Sequence, residues 1–486
     1  MIYSRRSSPL ADDRANAPVE PAASGQHSGR DFSRSQHFLE RLLGPFRKKA
    51  PSKSPNAARD AQHVIGLCHA LLSEQGEVSG ARRAVEALDA YRSLDAAGLG
   101  IFFDRLAEEF SPDPSHIARV ADAYKADPAQ LNLVRLQTTV EPPRQELFRR
   151  FNMAPGATAL LVDMRKQLLK TLAEHPGRIG VDADLAHLFR SWFNRGFLVL
   201  HRIDWRTSAL VLERLIEYEA VHQIQGWRDL RRRLEADRRC YAFFHPALPD
   251  EPLIFIEVAL TTGMAAHVQP LLDPEAPVVD PARADSAVFY SITNCQEGLR
   301  GVSFGNFLIK QVVEDLGREF SRLKTFATLS PIPGFTNWLK NEDDTTVRAQ
   351  MPPQVESLVG RCERGDPIDF DAIDEVLSGT ISALCAYYLL HAKQGTEPLD
   401  PVARFHLANG ARLERLNWMG DTSRTGLQRS LGLMVNYVYR LDDVERNHEA
   451  YAKRHEIAAS ATFQRLVKPA VRSTPGTRAG RSAVVS

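Results

Sequence analysis

Between Ala287 and Ser330 the hydrophobic period changes twice, and this alternation constrains the fold more than any other feature of the chain. AVFYSITN, residues 287–294, is a β-branched and aromatic run of strand character. After Gly305, Leu308, Ile309, Val312, Val313, Leu316 and Phe320 recur on one helical face, while Lys310, Gln311, Glu314, Asp315, Arg318 and Glu319 occupy the other. KTFATLS, residues 324–330, is strand-like again. Strand, glycine-bearing loop, helix and strand make a crossover unit, which sets the two strands parallel. In such units ligands bind at the carboxyl ends of the strands.

The surroundings extend this reading to an α+β chain. From about 60 to 195, segments such as VIGLCHALLSEQG, LGIFFDRLAEEF and ATALLVDMRKQLLKTLAEH repeat apolar residues at three- and four-residue spacings, with proline and glycine between them. That predicts a helical bundle, residues 61–195, whose usual role is packing or oligomerisation and which carries nothing catalytic. After about 195, CYAFFHP, LIFIEVAL and LMVNYVYR add strands, a long amphipathic helix is expected near 207–224, and FDAIDEVLSGTISALCAYYLLHAK is another helix. Residues 196–467 thus form a mixed domain. Residues 1–60 and 468–486 are expected to be largely disordered tails, with a short docking helix conceivable at FLERLLGPF, because their composition cannot bury enough surface to offset ordering entropy.

Charge and cysteine usage exclude several function classes. With 61 Lys and Arg against 60 Asp and Glu, a dedicated nucleic-acid binder is not expected. Five cysteines without a C-x-x-C pair suit neither a disulfide framework nor a structural zinc site, and read as thiols of a reducing compartment. The N-terminus lacks an apolar signal core, Asp12, Asp13 and Glu20 weaken a transit-peptide reading, and no run is apolar enough to span a membrane. A cytoplasmic protein without membrane attachment is the expectation.

The loop CQEGLRGVSFGN, residues 295–306, carries two rival readings. GVSFG matches the G-x-S-x-G of a hydrolase nucleophile elbow, which would make Ser303 a nucleophile. An elbow needs its serine directly at the strand end, yet five residues, Gln296 to Arg300, intervene, and no HGGG-like segment supplies an oxyanion hole. The alternative is anion binding: Gly301 and Gly305 permit close backbone approach, the helix starts near Asn306, and Arg300 adds a charge. Arg300-x-x-Ser303-x-Gly305 resembles the loop with which the N-acetyltransferase superfamily (GNAT) fold holds the pyrophosphate of coenzyme A. In that fold the strand after the helix splays from the strand before it, and the thioester arm lies in the gap.

Ser330 is followed by Pro-Ile-Pro-Gly. Pro331 disfavours helical angles at Ser330, so the serine is held extended at the strand end, facing the same crevice as the loop; a plain Ser-Pro turn is the alternative. Pattern alone does not select one of fifteen histidines. His406 stands out for its surroundings, a short polar segment with a turn at Asn409-Gly410 and then another strand.

In order and spacing, FYSITNCQEGLRGVSFGNFLIKQVVEDL, KTFATLSPIPGFTNWL, DPVARFHLANGARLERLNWMGD and GLMVNYVY resemble malonyl-CoA decarboxylase. The resemblance covers about 195–465, and the preceding helices look like that family's N-terminal helical domain. It implies a GNAT-like catalytic domain, a helical oligomerisation domain giving a dimer or tetramer, malonyl-CoA as substrate, and acetyl-CoA and carbon dioxide as products. Carried over residue by residue, the acyl-CoA loop is Arg300, Gly301, Val302, Ser303, Phe304, Gly305 and Asn306. The catalytic serine is Ser330, the catalytic histidine His406, and Tyr439 lines the same site. Animal members have a glutamate where Ser303 stands.

The chemistry needs few groups and no metal, biotin or nicotinamide. A carboxylate β to a thioester leaves as carbon dioxide because the carbonyl accepts the electrons as an enolate, so the enzyme has to stabilise that oxygen and protonate the carbon. Ser330 is the expected oxyanion partner or relay and His406 the expected donor. A cation at the carboxylate would oppose its loss, so an apolar or merely hydrogen-bonded pocket is expected there. The rivals are a coenzyme-A-dependent acyltransferase, which needs an acceptor amine, and a non-catalytic acyl-CoA sensor.

Overall fold

The computed structural model describes residues 56–302, 304, 308–349, 351–370 and 373–467; residues 1–55 of the expected N-terminal tail, with FLERLLGPF, the expected C-terminal tail, and Ser303, Gly305 and Asn306 lie outside the described residues, whereas residues 57–60, expected in the tail, open the first helix. Among the described residues eight α-helices come first: α1 (Ala57–Ser73), α2 (Glu77–Arg92), α3 (Ala96–Glu109), α4 (Pro114–Ala126), α5 (Gln130–Val140), α6 (Pro143–Phe151), α7 (Ala157–Thr171) and α8 (Ile179–Trp192). Side-chain caps start several of them, Asp95 accepting from the Gly98 N–H and Asp113 from that of Ser115. Ile65, Phe102, Phe148, Leu161 and Phe189 meet in their core. The α4–α5 pair is different, since neither helix buries a residue. QLNLVRLQTTV and PRQELFRRF, the helices α5 and α6, were not among the expected segments; both are polar enough to mask their period.

The remainder is built on one eight-stranded sheet: β1 (Val199–Ile203), β2 (Arg238–Phe244), β3 (Ile254–Thr261), β4 (Ser286–Asn294), β5 (Thr325–Thr328), β6 (Ser330–Pro331), β7 (Arg412–Asn417) and β8 (Met434–Val438). Its order is β1-β2-β3-β4-β5-β8-β6, with β7 on the other edge of β8. All pairings are antiparallel except β4 with β5, the predicted crossover, whose connecting helix Leu308–Glu319 buries Leu308, Ile309, Val312, Val313 and Leu316 as its apolar stripe requires.

Two departures from regular pairing open the sheet. Along β3, Glu257 pairs with Ser291 and Val258 with Phe289, so Tyr290 is the extra residue of a β-bulge in β4. The β4–β5 ladder ends at Phe289 and Thr328, while β4 continues to Asn294 and the chain beyond Thr328 turns to pair with β8 through Ser330 and Pro331. The strands splay as an acetyltransferase-like fold requires, and the outer half of β4 faces a gap.

The helix expected over 207–224 is the shorter Ala209–Tyr218, here α9. Its apolar pattern persists to Ile224, but the Glu219 carboxylate accepts the N–H groups of Val221 and His222 at 2.8 and 2.9 Å, a local turn that replaces the next helical bonds. No helix among the described residues is long and apolar enough to cross a membrane.

Candidate active site in the gap between β4 and β5

The gap holds a cavity of about 220 Å³, walled by Tyr290 and Ser291 of β4 on one side and by Ser330, Pro331, Phe405 and His406 on the other. A larger hollow of about 490 Å³ at Trp227, Arg228 and Arg231 contains none of the expected site residues.

His406 lies on a helix, α10 (Pro401–Ala408), and not in the short polar segment expected from sequence. The helix forms because Asp400 caps it, accepting the Ala403 N–H at 2.8 Å, with Pro401 at the first helical position. Gly410, at φ +81°, follows its end. Burial pushes the Asp400 carboxyl up to about 6, against the backbone N–H groups of Ala403, Val402 and Gly334 that favour its charge. The Gly334 contact ties the histidine helix to the turn that follows Ser330.

Four side chains make a continuous buried chain. The Ser330 hydroxyl donates to Thr328 Oγ1 at 2.8 Å and lies 3.0 Å from His406 Nε2, while His406 Nδ1 lies 2.8 Å from the Tyr439 hydroxyl. Because the Ser330 proton is directed at Thr328, Ser330 Oγ accepts from Nε2–H, and Nδ1 accepts from Tyr439. Tyr437, two residues before Tyr439 on β8 and therefore on the same face, stacks on the imidazole at 4.5 Å and 27°. Burial alone lowers His406 to about 3, so the free protein carries a neutral imidazole. Tyr439 supports the histidine from behind and does not line the cavity.

Of the loop expected to bind acyl-CoA, Arg300, Gly301, Val302 and Phe304 are described and none lines the cavity. Arg300 is exposed, Val302 and Phe304 are buried anchors, and Gly301 adopts φ +76°, a conformation that favours glycine. The loop is held from the helical region. Arg165 of α7 donates through Nη1 to the carbonyls of Gly298 and Arg300 at 2.8 and 2.9 Å, and its Nε donates to Asp182 at 2.8 Å. A Cβ on Gly298 would stand 1.9 Å from the Val162 carbonyl oxygen, so α7 and the loop touch backbone to backbone. The helices were expected to carry nothing catalytic, and Arg165 acts only on the loop backbone. The available signal was Arg165 itself, a charge on the apolar stripe of Leu161 and Leu168.

A second residue that sequence reasoning missed is Glu219. Its carboxylate is buried behind β4 and accepts from the Ser291 hydroxyl at 2.8 Å to either oxygen and from the Thr293 hydroxyl at 3.0 Å, besides the two backbone N–H groups of its turn. Glu257, across β3 from Ser291, is pushed up to about 8 by burial, with Arg233 opposing and the charge of Glu219 adding to the rise.

Comparison with known proteins gives one answer along the chain. Residues 110–193 match the family model of the malonyl-CoA decarboxylase N-terminal domain and residues 196–476 that of the C-terminal domain. The chain is 34% identical over 467 residues to the mitochondrial malonyl-CoA decarboxylase of Anser anser anser, covering 88% of this chain and 93% of the goose protein. The Mus musculus enzyme is 33% identical, with 96% and 97% covered. Among solved structures, malonyl-CoA decarboxylase from Rhodopseudomonas palustris superposes with a TM-score of 0.78 at 48% identity, covering 83% of this chain and 99% of that one. The Agrobacterium vitis enzyme gives 0.75 at 47%, with the same shares covered.

Proposed function

The chain belongs to the malonyl-CoA decarboxylase family, and from that premise we propose how its cavity converts malonyl-CoA to acetyl-CoA and carbon dioxide. The observation that carries the reading is the chain Tyr439–His406–Ser330–Thr328 at the mouth of the splayed strands. The thioester carbonyl takes the Ser330–His406 pole. The bond between the methylene and the carboxylate breaks, its electron pair moves into the carbonyl as an enolate, and carbon dioxide leaves. As charge develops, the Ser330 hydroxyl turns from Thr328 to donate to the oxygen, while the Nε2–H of His406 continues to donate to Ser330 Oγ. One proton then reaches the methylene carbon from His406 Nε2, directly or through Ser330, while Tyr439 restores a proton at Nδ1 and is itself reprotonated from solvent, so one solvent proton is consumed for each carbon dioxide released. An enolate is basic enough to take a proton from neutral imidazole, so a charged histidine is not required. Arg300 to Asn306 hold the coenzyme's phosphates, positioned by the Arg165 clamp.

Three further parts of the proposal rest on separate observations. Residues 61–195 and 196–467 act as an oligomerisation part and a catalytic part. A homo-oligomer forms through α4 and α5, whose exposed Leu131, Val134 and Val140 have no core of their own to join. The protein works in the cytoplasm, a reducing compartment that suits five buried free thiols; the goose and mouse relatives are named mitochondrial, so fractionation of the native source tests this part.

The test of mechanism is incubation of purified protein with malonyl-CoA alone and measurement of acetyl-CoA. Ser330→Ala and His406→Asn are expected to lose about 100-fold or more in kcat, the worth of one positioned donor, with Ser303→Ala mild. The reverse ordering rejects the assignment.

A further inference from the structure

The cavity has two polar poles. One is Ser330 with His406, the pole assigned above to the thioester carbonyl. The other is Ser291 on β4, with Asn294 exposed further along the same strand. A malonyl group likewise has two oxygen-bearing ends, the thioester carbonyl and the carboxylate. Once the carbonyl occupies the first pole, the carboxylate is directed at the second.

Ser291 cannot serve that end as a donor in the arrangement seen. It owns one hydroxyl proton, and both oxygens of Glu219 lie 2.8 Å from its Oγ. The neighbouring Thr293 hydroxyl is also committed to Glu219. Every contact to Glu219, two backbone N–H groups and two hydroxyls, is a donor, the set an ionised carboxylate takes. The cation on this face, Arg233, is engaged by Asp229 and Glu257. Ser291 therefore has no hydroxyl proton to offer the cavity, and the Glu219 carboxylate lies behind it.

We propose that Glu219 is a positioning residue for the reaction: by holding the hydroxyl proton of Ser291 it denies the substrate carboxylate a hydrogen bond from that side chain and sets a second carboxylate behind it, so the substrate carboxylate is destabilised relative to carbon dioxide. The wall disfavours the charged ground state and tolerates the neutral product, which is the direction of differential binding that raises kcat. The inference rests on the reading of Ser330 and His406 as the carbonyl pole.

Two thioethers separate the parts. S-(2-carboxyethyl)-coenzyme A keeps the malonyl chain length and carboxylate but lacks the carbonyl and cannot decarboxylate; S-ethyl-coenzyme A lacks the carboxylate as well. In Glu219→Gln the Ser291 proton is freed, so the carboxyethyl compound is expected to bind roughly tenfold tighter, the low end of what such strain is worth, with S-ethyl-coenzyme A unchanged. In steady state, kcat and the KM for malonyl-CoA fall together, as when ground-state strain is removed. Weaker binding of the carboxyethyl compound, or an equal change for both thioethers, overturns the proposal. Should Glu219→Gln not fold, Ser291→Ala decides: a Ser291 whose proton is held by Glu219 predicts no loss of carboxyethyl affinity, and a loss of about tenfold reveals a donating hydroxyl and overturns the proposal. These binding comparisons need no turnover, whereas full activity in Ser330→Ala would fail the carbonyl-pole reading itself.

Discussion

Acidification is the perturbation that most directly interrogates the buried imidazole. An unfolded chain titrates His406 at its ordinary 6.5, whereas burial without any neighbouring carboxylate holds it at about 3 in the fold. Between these values the unfolded state binds the extra proton, so stability rises with pH across the window, is complete above 6.5 and is lost as pH falls. At pH 5 the unfolded imidazole is nearly all protonated and the folded one nearly all neutral, which costs about 2 kcal/mol relative to pH 8; the full gap of about 3.5 units corresponds to about 5 kcal/mol near pH 3. Asp400 works in the opposite sense. Its folded value near 6 lies above the ordinary 3.8, so its contribution improves on acidification through that interval. The wild-type curve alone therefore does not isolate the histidine. The assay is urea unfolding at pH 8 and pH 5 for wild type and His406→Asn, followed by circular dichroism and tryptophan fluorescence with coincident transitions. The variant keeps the Asp400 contribution and loses that of His406, so wild type should lose about 2 kcal/mol more than the variant. Parallel losses would refute the neutral buried imidazole, and with it the relay from Tyr439.

Two other predictions concern residues that act through their neighbours. Tyr439→Phe removes the donor that fixes Nδ1 as an acceptor, so kcat should fall about 100-fold with little change in KM, and stability should fall by about 1–3 kcal/mol for the unsatisfied buried nitrogen; steady-state kinetics and urea unfolding read both. Arg165→Met keeps the packing of α7 but releases the Gly298 and Arg300 carbonyls, so the KM for malonyl-CoA should rise by up to roughly tenfold while kcat changes less; an unaltered KM would separate the clamp from coenzyme binding.

What could be read in advance divides along physical lines. The β4–helix–β5 unit was legible because each piece carries its own period, and β2, β3 and β8 were legible for the same reason. Strand β1 and helix α5 were not, since VLHRI is an edge strand with mostly exposed side chains and α5 buries nothing. The end of α9 was misread because its apolar pattern runs past the point where Glu219 captures the next two N–H groups. Gly301 was read as permitting close backbone approach to a ligand; its φ of +76° is a separate reason for glycine that the sequence did not show.

The site separates in the same way. From sequence alone came the crossover, the proline-locked Ser330 and, through family resemblance, the identities of His406 and Tyr439. These depend on local patterns or on an ordered set of motifs, both of which a linear chain preserves. The structure decided that Ser330 and His406, 76 residues apart, meet at 3.0 Å, that Tyr439 sets the tautomer, and that Arg165 and Glu219 support the loop and the cavity wall from outside the motifs. In the sequence, Arg165 and Glu219 are ordinary charged residues on helical segments. What makes them functional is burial beside partners more than 70 residues away, where a charge has to be matched by hydrogen bonds, and that matching exists only once the sheet has splayed and the helices have closed over it.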